Sequence, residues 1–189
     1  MTGKKIASID IGSNTLRLLI LEVCGDGDFR EVDTDRAITR LGQGMDTQKC
    51  LLEHRIQATL DVLGGFLDKC RTYGEMPVCA VATSAVREAS NREEFVRRVR
   101  EKTGINVEVV PWEEEARLTL EGVFWKIPDM GKTTLTFDIG GGSTEFILSQ
   151  GRQFVASFGT LLGVVRLTEK FITQHPIDAG EFHRLEIHV

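Results

Sequence analysis

The chain has 189 residues, of which 41% are hydrophobic and 27% charged, and its formal net charge is −5. This length allows one large domain or two small ones, and the composition argues against a disordered or collagen-like chain. The acidic balance, without a long Lys/Arg run, argues against nucleic acid or an anionic membrane as a partner. No apolar run approaches the roughly 20 residues of a membrane span, so we expect a cytoplasmic protein.

Strands predominate in the first forty residues. Apolar runs predict strands over 6–11, 15–23 and 29–35, and the residues between them, 12–14 and 25–28, have the composition of turns. Because such short loops cannot make a parallel crossover, we expect these three strands to form an antiparallel meander.

Helices and strands alternate through the middle of the chain. An apolar stripe from Leu52 to Cys70, with a period of about 3.6 residues, predicts a helix with Thr47 as its N-cap. Apolar runs and capping residues predict the next elements: a strand over 78–83, a helix after the capping box at 90–93 that ends at Gly104, a strand over 107–110, and a helix from about 113 to 124.

The segment after residue 132 resembles the start of the chain. Strands are predicted over 133–139, 143–148 and 153–157, and the runs 9–15 and 137–144 share Asp-Ile-Gly, a small polar turn and a Thr. We interpret this as a duplicated lobe; the alternative is two unrelated hairpins with similar turns. The predicted organisation is a first lobe over 1–125, a linker over 126–132, and the amino-terminal part of a truncated second lobe over 133–189.

The two turns predict phosphate chemistry. A glycine-containing bend between strands exposes backbone N–H groups that form a concave anion site. Asp10 and Asp138 lie beside the two bends. Because a carboxylate repels phosphate unless a divalent cation lies between them, the pattern predicts Mg²⁺-dependent phosphate handling.

Two further groups are candidate site residues. The run Glu113–Glu115 opens a helix, where acidic residues favour the helix dipole without any function, but it also offers a general base. The sequence spacing does not indicate which of these three glutamates would be the general base. Arg87 is predicted on a loop at the carboxyl end of a strand, where it suits bidentate phosphate contact, or it forms a surface ion pair with Glu88 or Glu93.

Four segments together resemble the exopolyphosphatase / guanosine pentaphosphate phosphohydrolase family, and two lesser signatures agree with it. The four are 9–15, 82–87, 114–117 and 138–145, and the lesser two are 40–44 and 162–167. The resemblance implies the fold of the actin, heat-shock ATPase and sugar kinase superfamily. That fold is α/β, with a ribonuclease-H-like lobe of mixed sheet and flanking helices, followed here by the start of a second similar lobe.

The resemblance also implies roles for individual residues. Glu115 resembles the catalytic base that activates water, since it directly precedes Ala-Arg. The implied Mg²⁺-associated carboxylates are Asp10 and Asp138, and Glu145 is implied to bind the metal or to orient water. The implied phosphate-binding residues are Ser13, Asn14 and Thr15 in the first turn, Gly140, Gly141, Gly142, Ser143 and Thr144 in the second, and Arg87.

The implied reaction is hydrolysis of a terminal phosphoanhydride of inorganic polyphosphate, guanosine pentaphosphate or both, by a protein that forms a homodimer at full length. Because the second lobe is expected to be truncated, we expect little activity from these 189 residues alone. The alternatives are a small-molecule kinase of the same superfamily and a non-catalytic nucleotide-binding module.

Overall fold

The chain divides into two compact units, Met1–Val109 and Val110–Val189, in a computed structural model that describes residues 3–25, 28–129 and 131–189. The predicted turn at 25–28 and the predicted linker at 126–132 therefore fall partly outside the described residues. In the described part of the chain, no helix is long and apolar enough to cross a membrane.

The first unit is a mixed sheet with helices. Its elements are β1 (Lys5–Ile11), β2 (Thr15–Val23), β3 (Phe29–Ile38), α1 (Met45–Gln48), α2 (Glu53–Thr72), β4 (Val78–Ala82), α3 (Ser84–Glu88), α4 (Arg92–Thr103) and β5 (Val107–Val109). The strand order is β3-β2-β1-β4-β5. The pairs β1–β2 and β2–β3 are antiparallel, which confirms the predicted meander, whereas β4 pairs in parallel with both β1 and β5.

Strand alternation builds the core of the first unit. Side chains of a strand point alternately to opposite faces, and Ile9 and Ile11 of β1 are buried on the same face as Leu18 of β2. The apolar stripe of α2 is buried as well, with Ile56 and Leu63 at most 1% exposed. Residues of α4 join the same cluster. Asp10 consequently lies on the opposite face of the sheet from this core.

Two predicted caps are wrong because neighbouring contacts take their place. Thr47 lies inside the one-turn helix α1, which Lys49 ends in a left-handed conformation (φ 55°), so α2 begins only after Leu52. The capping box at 90–93 does not form either. Asn91 is the N-cap of α4, and its side chain instead bonds the backbone N–H and carbonyl of Leu51 at 2.9 and 3.0 Å.

In its described residues, the second unit is a three-stranded antiparallel sheet with three helices. Its elements are α5 (Trp112–Lys126), β6 (Thr133–Ile139), β7 (Thr144–Gln150), β8 (Gln153–Thr160), α6 (Val164–Phe171) and α7 (Ala179–His188). Helix α5 packs on this sheet through a small buried cluster, within the described residues, of Ala116, Leu120, Phe124 and Ile147. The sequence-based division assigned this helix to the first lobe, and that division remains a prediction.

The opposite face of the second sheet is apolar and open. Phe146 of β7 lies between Phe137 and Phe158, with ring centroids 5.1 and 4.6 Å apart. Phe137 is 55% exposed and Phe158 is 61% exposed. The corresponding face of the first sheet, which carries Ile9 and Leu18, is buried. The two hairpins are therefore alike in backbone pairing but different in packing.

A polar network ties the edge strand β3 to α2. The hydroxyl of Tyr73 donates to Asp33 at 2.8 Å, and the ammonium of Lys69 lies 3.1 Å from Asp33 and 3.2 Å from Asp35. The hydrogen bond from Tyr73, followed by the one from Lys69, lowers the pKa of Asp33. The hydrogen bond to Asp33 raises the pKa of Lys69.

This network predicts an acid-side loss of stability. Because the folded pKa of Asp33 is below its unfolded value of about 3.9, its ionised form stabilises the fold above that pH. The contribution is lost as the pH falls through the folded pKa. We expect Asp33→Asn to flatten the fall in unfolding free energy between about pH 5 and pH 2, measured by urea titration. The control is Asp68→Asn, in an exposed pair with Arg71; an unchanged slope in Asp33→Asn would contradict the assignment.

Candidate functional site

The first turn joins β1 to β2 and contacts the helix that follows β4. The N–H of Gly12 donates to the carbonyl of Thr15 at 3.2 Å, and a Cβ at Gly12 would lie 2.9 Å from that oxygen. Ser13 is buried, and its Oγ accepts a hydrogen bond from the N–H of Ala85 at 3.1 Å. Because the Ser13 hydroxyl is the acceptor in this hydrogen bond, its O–H can still donate to a second partner. The first turn is therefore fixed to the start of α3.

The lesser signature at 40–44 also contacts this turn, through backbone hydrogen bonds to its carbonyl groups. The N–H of Arg40 donates to the carbonyl of Asn14 at 3.0 Å, and the N–H of Gly42 donates to that of Ser13 at 2.7 Å. Arg40 adopts a left-handed conformation (φ 53°), and a Cβ at Gly42 would approach the Cβ of Ser13 to 3.0 Å. This segment therefore occupies the carbonyl groups at the tip of the turn.

Arg87 lies on a helix rather than on the predicted loop. Strand β4 runs parallel to β1, so the carboxyl ends of both strands meet at one edge of the sheet, and the N–H of Thr83 donates to the carbonyl of Ile11 at 3.4 Å. Helix α3 begins at Ser84 and contains the half-buried Arg87. In α/β sheets this edge is where ligands bind. The first unit thus gathers the first turn and the Arg87 helix at one edge.

The second turn repeats the geometry of the first. The N–H of Gly140 donates to the carbonyl of Ser143 at 2.8 Å, as Gly12 does to Thr15. Ser143 is buried, and the hydroxyl of Thr144, also buried, donates to the carbonyl of Leu162. The Thr144 hydroxyl therefore holds the segment before α6 in place.

The start of α6 binds the carbonyl groups of the second turn. The hydrogen bonds run from the N–H of Val164 to Gly140 (3.0 Å), from the N–H of Val165 to Gly141 (2.9 Å), and from Nε of Arg166 to Gly142 (2.8 Å). Within the described residues, the N–H groups of Gly141, Gly142 and Ser143 donate to no protein acceptor. A turn with occupied carbonyls and available amides has the chemistry of an anion site.

Two acidic residues of the second unit share one face of its sheet, and a third lies on the helix that packs on this sheet. Asp138 and Glu145 are directly paired across β6 and β7, so their side chains share a face, and Glu145 is 3% exposed. The hydroxyl of Thr119 on α5 donates to Asp138 at 3.2 Å. Glu115 lies one turn before Thr119 and therefore on the same side of α5.

The acidic run at the start of α5 is not uniform. Glu113 and Glu114 are exposed, and Glu113 pairs with the guanidinium of Arg117 at 2.9 Å, as a surface residue would. Glu115 is half-buried. Burial therefore separates Glu115 from its neighbours, which sequence spacing alone did not do.

The carboxylates of the two turns face different partners. Across the hairpins, Asp138 is paired with Glu145, whereas Asp10 is paired with Arg17. Two carboxylates directly opposite each other repel unless a cation lies between them. Among the described residues, no group of three or more His, Cys, Asp or Glu side chains is arranged to hold a metal ion. Mg²⁺ commonly binds through one or two carboxylates, with water and phosphate oxygens completing its shell, and the Asp138–Glu145 pair fits that donor set.

Sequence reasoning missed Thr119 and Arg166. Thr119 follows Glu115 by four residues on one helix, and this spacing could have indicated that both face the same sheet. Arg166 lies within a recognised signature, but its contact with Gly142 joins residues far apart in the chain. No local pattern indicates such a contact.

Comparisons with known proteins show what the chain is similar to. The sequence profile described as the Ppx/GppA phosphatase family matches residues 20–189. A bifunctional 3-dehydroquinate synthase/phosphatase of Fusobacterium nucleatum is 35% identical over 178 residues, covering 90% of this chain and 27% of that protein. Exopolyphosphatase 2 of Mycobacterium tuberculosis is 33% identical over 184 residues, covering 93% of this chain and 57% of that protein. The chain thus spans only part of the length of either relative.

A solved structure matches the fold over almost the whole chain. The crystal structure of an exopolyphosphatase from Cytophaga hutchinsonii superimposes with a TM-score of 0.89 and 30% sequence identity, covering 98% of this chain and 58% of that one. This match, together with the mixed five-stranded sheet and its helices, confirms the expected α/β class.

Proposed function

Because this chain belongs to the Ppx/GppA phosphatase family, we propose that it forms part of a phosphoanhydride hydrolase that releases terminal phosphate from inorganic polyphosphate. The second turn supports this most directly, since its carbonyl groups are bound by α6 and its amides are left for an anion. The exopolyphosphatases among its relatives support the same substrate class.

Each candidate residue has a role in such a reaction. Glu115 accepts a proton from the attacking water, and the amides of the second turn stabilise charge on the phosphate oxygens. In the first unit, charge on the phosphate oxygens is stabilised by the turn of Ser13, Asn14 and Thr15. The guanidinium of Arg87 binds phosphate there as well. Catalysis of this kind depends on positioning and electrostatics more than on covalent chemistry.

Magnesium is the cofactor that we propose. Asp138 and Glu145 would hold it in the second unit, and Asp10 is the corresponding Mg²⁺-associated carboxylate that we propose beside the first turn. Bound Mg²⁺ would neutralise charge on the phosphates and on these carboxylates. Guanosine pentaphosphate as a second substrate, a homodimer at full length and a cytoplasmic location remain predictions from the family resemblance.

A phosphate-release assay tests this function. We incubate the chain at high concentration with polyphosphate or guanosine pentaphosphate, each with Mg²⁺ or with EDTA, and measure free phosphate. Slow release that requires Mg²⁺ is expected, because the carboxylate-rich turn repels a polyanion unless a cation is bound. Transfer of phosphate to a sugar or small acid, without release into water, would instead identify a kinase. No hydrolysis of either substrate in the presence of Mg²⁺, by this chain and by a longer protein that contains it, would contradict the proposed function.

A further inference from the structure

The second turn is held through each of its glycine carbonyl groups in turn. The backbone N–H groups of Val164 and Val165 bind the first two, and the side chain of Arg166 binds the third, that of Gly142. The first two contacts come from the backbone, so no substitution removes their donors except proline. The third depends on the identity of one side chain.

Peptide geometry connects each bound carbonyl to one amide. In a trans peptide the C=O of one residue and the N–H of the next lie in one plane and point in opposite directions. Holding the Gly142 carbonyl therefore directs the N–H of Ser143 away from α6. The contacts from Val164 and Val165 direct the N–H groups of Gly141 and Gly142 in the same way.

The position of Arg166 is unusual for its charge. It lies in the first turn of α6, where the helix dipole favours acidic residues and disfavours a cation, and α6 carries no acidic residue in that turn. The hydrogen bond from its Nε to Gly142 provides a local reason for an arginine there.

On the premise of the proposed function, we propose that Arg166 is a positioning residue for the second turn. By holding the Gly142 carbonyl, it sets the direction of the Ser143 N–H toward the bound phosphate. It acts through the peptide between Gly142 and Ser143 and does not itself need to touch the phosphate.

Two substitutions separate the hydrogen bond from the charge. Arg166→Ala removes both. Arg166→Gln removes the charge but keeps a donor, because Nε2 of Gln is separated from Cα by the same number of bonds as Nε of Arg. Arg152→Ala is the matched control, since Arg152 also donates to a backbone carbonyl of the second unit, that of Phe124 at 2.9 Å, away from the turn.

The experiment is an NMR titration of the chain with tripolyphosphate in the presence of Mg²⁺. We expect Arg166→Ala to weaken binding about three- to tenfold, as one directed hydrogen bond is lost, and to reduce the ligand-induced shift of the Ser143 amide more than that of Gly141. Arg166→Gln and Arg152→Ala should bind within about twofold of the unsubstituted chain. Equal weakening in Arg166→Ala and Arg166→Gln would overturn the inference, because charge would then carry the effect.

A ligand-free measurement keeps the inference separate from the proposed function. The carbonyl ¹³C shift of Gly142 reports its hydrogen bond, and it should change in Arg166→Ala but not in Arg166→Gln. If the unsubstituted chain binds no tripolyphosphate, the proposed function fails while this comparison still tests the contact. An unchanged Gly142 shift in Arg166→Ala would overturn the positioning role on its own.

Discussion

Glu115→Gln is expected to lower the rate of phosphate release by at least about a hundredfold, because a positioned general base contributes about 10²–10⁴ to such a step. The amide cannot accept the proton of the attacking water, although its size and shape are those of the carboxylate. Affinity for tripolyphosphate should stay within about twofold, since removal of a group that acts in the transition state leaves ground-state binding intact. The measurements are phosphate release and calorimetric binding on the same preparation.

Glu114→Gln is the matched control for this substitution. Glu114 is the adjacent residue of the same run and is exposed, whereas Glu115 is half-buried. Its replacement also removes one negative charge from the first turn of α5, so any general electrostatic effect appears in both variants. Equal rates in the two variants would contradict the assignment of Glu115 as the base. Unchanged binding without hydrolysis in any variant would favour a binding module.

Gly163→Ala is expected to damage the second turn and the stability of its unit together. A Cβ at residue 163 would lie 2.3 Å from the carbonyl carbon of Gly142 and 2.4 Å from the carbonyl oxygen of Gly141. Both atoms are backbone, so relief requires the turn itself to move. Overpacking of this kind costs about 1–3 kcal/mol or more. We expect a lower unfolding free energy in urea and a loss of tripolyphosphate binding.

Gly122→Ala provides the comparison for that substitution. Gly122 lies within α5, and a Cβ there would meet nothing within 4 Å. Alanine in a helix interior is favoured over glycine by up to about 1 kcal/mol, so this variant should be slightly more stable and should bind tripolyphosphate normally. Because Gly163 has φ −117°, backbone strain does not contribute to the effect of its replacement. Full binding by Gly163→Ala would show that the turn tolerates displacement.

The hairpins and the long helix could be predicted from sequence because their signals are local. An apolar run, a glycine-containing bend and a second run define β1–β2 and β6–β7, and the stripe of α2 needs only its own residues. The fold class followed from these elements and the recognised signatures. Asp138, Glu145 and the glycine bend were all identified, and the structure brings them to one end of one hairpin.

The contacts that hold the turns could not be predicted, because they join residues distant in sequence. Nothing near Gly142 indicates that Arg166 binds its carbonyl, and nothing near Ser13 indicates that Gly42 does so in the first unit. The predicted capping box at 90–93 was wrong for the same reason. Asn91 has the right chemistry to cap α4, but its side chain binds Leu51, so a tertiary contact replaced the local one.

The small buried cluster of the second unit has a consequence for how the chain loses its structure. Burial of apolar area is the main favourable term in folding, and the first unit packs a far larger set of side chains than the cluster beneath α5. Regions with few buried contacts open at lower free energy than the rest of a protein. The second unit should therefore unfold at a lower temperature than the first. The second turn would lose its structure with it, while the first turn stays folded. Heat would abolish phosphate capture before most of the helical signal is lost, and a single melting temperature would describe neither event.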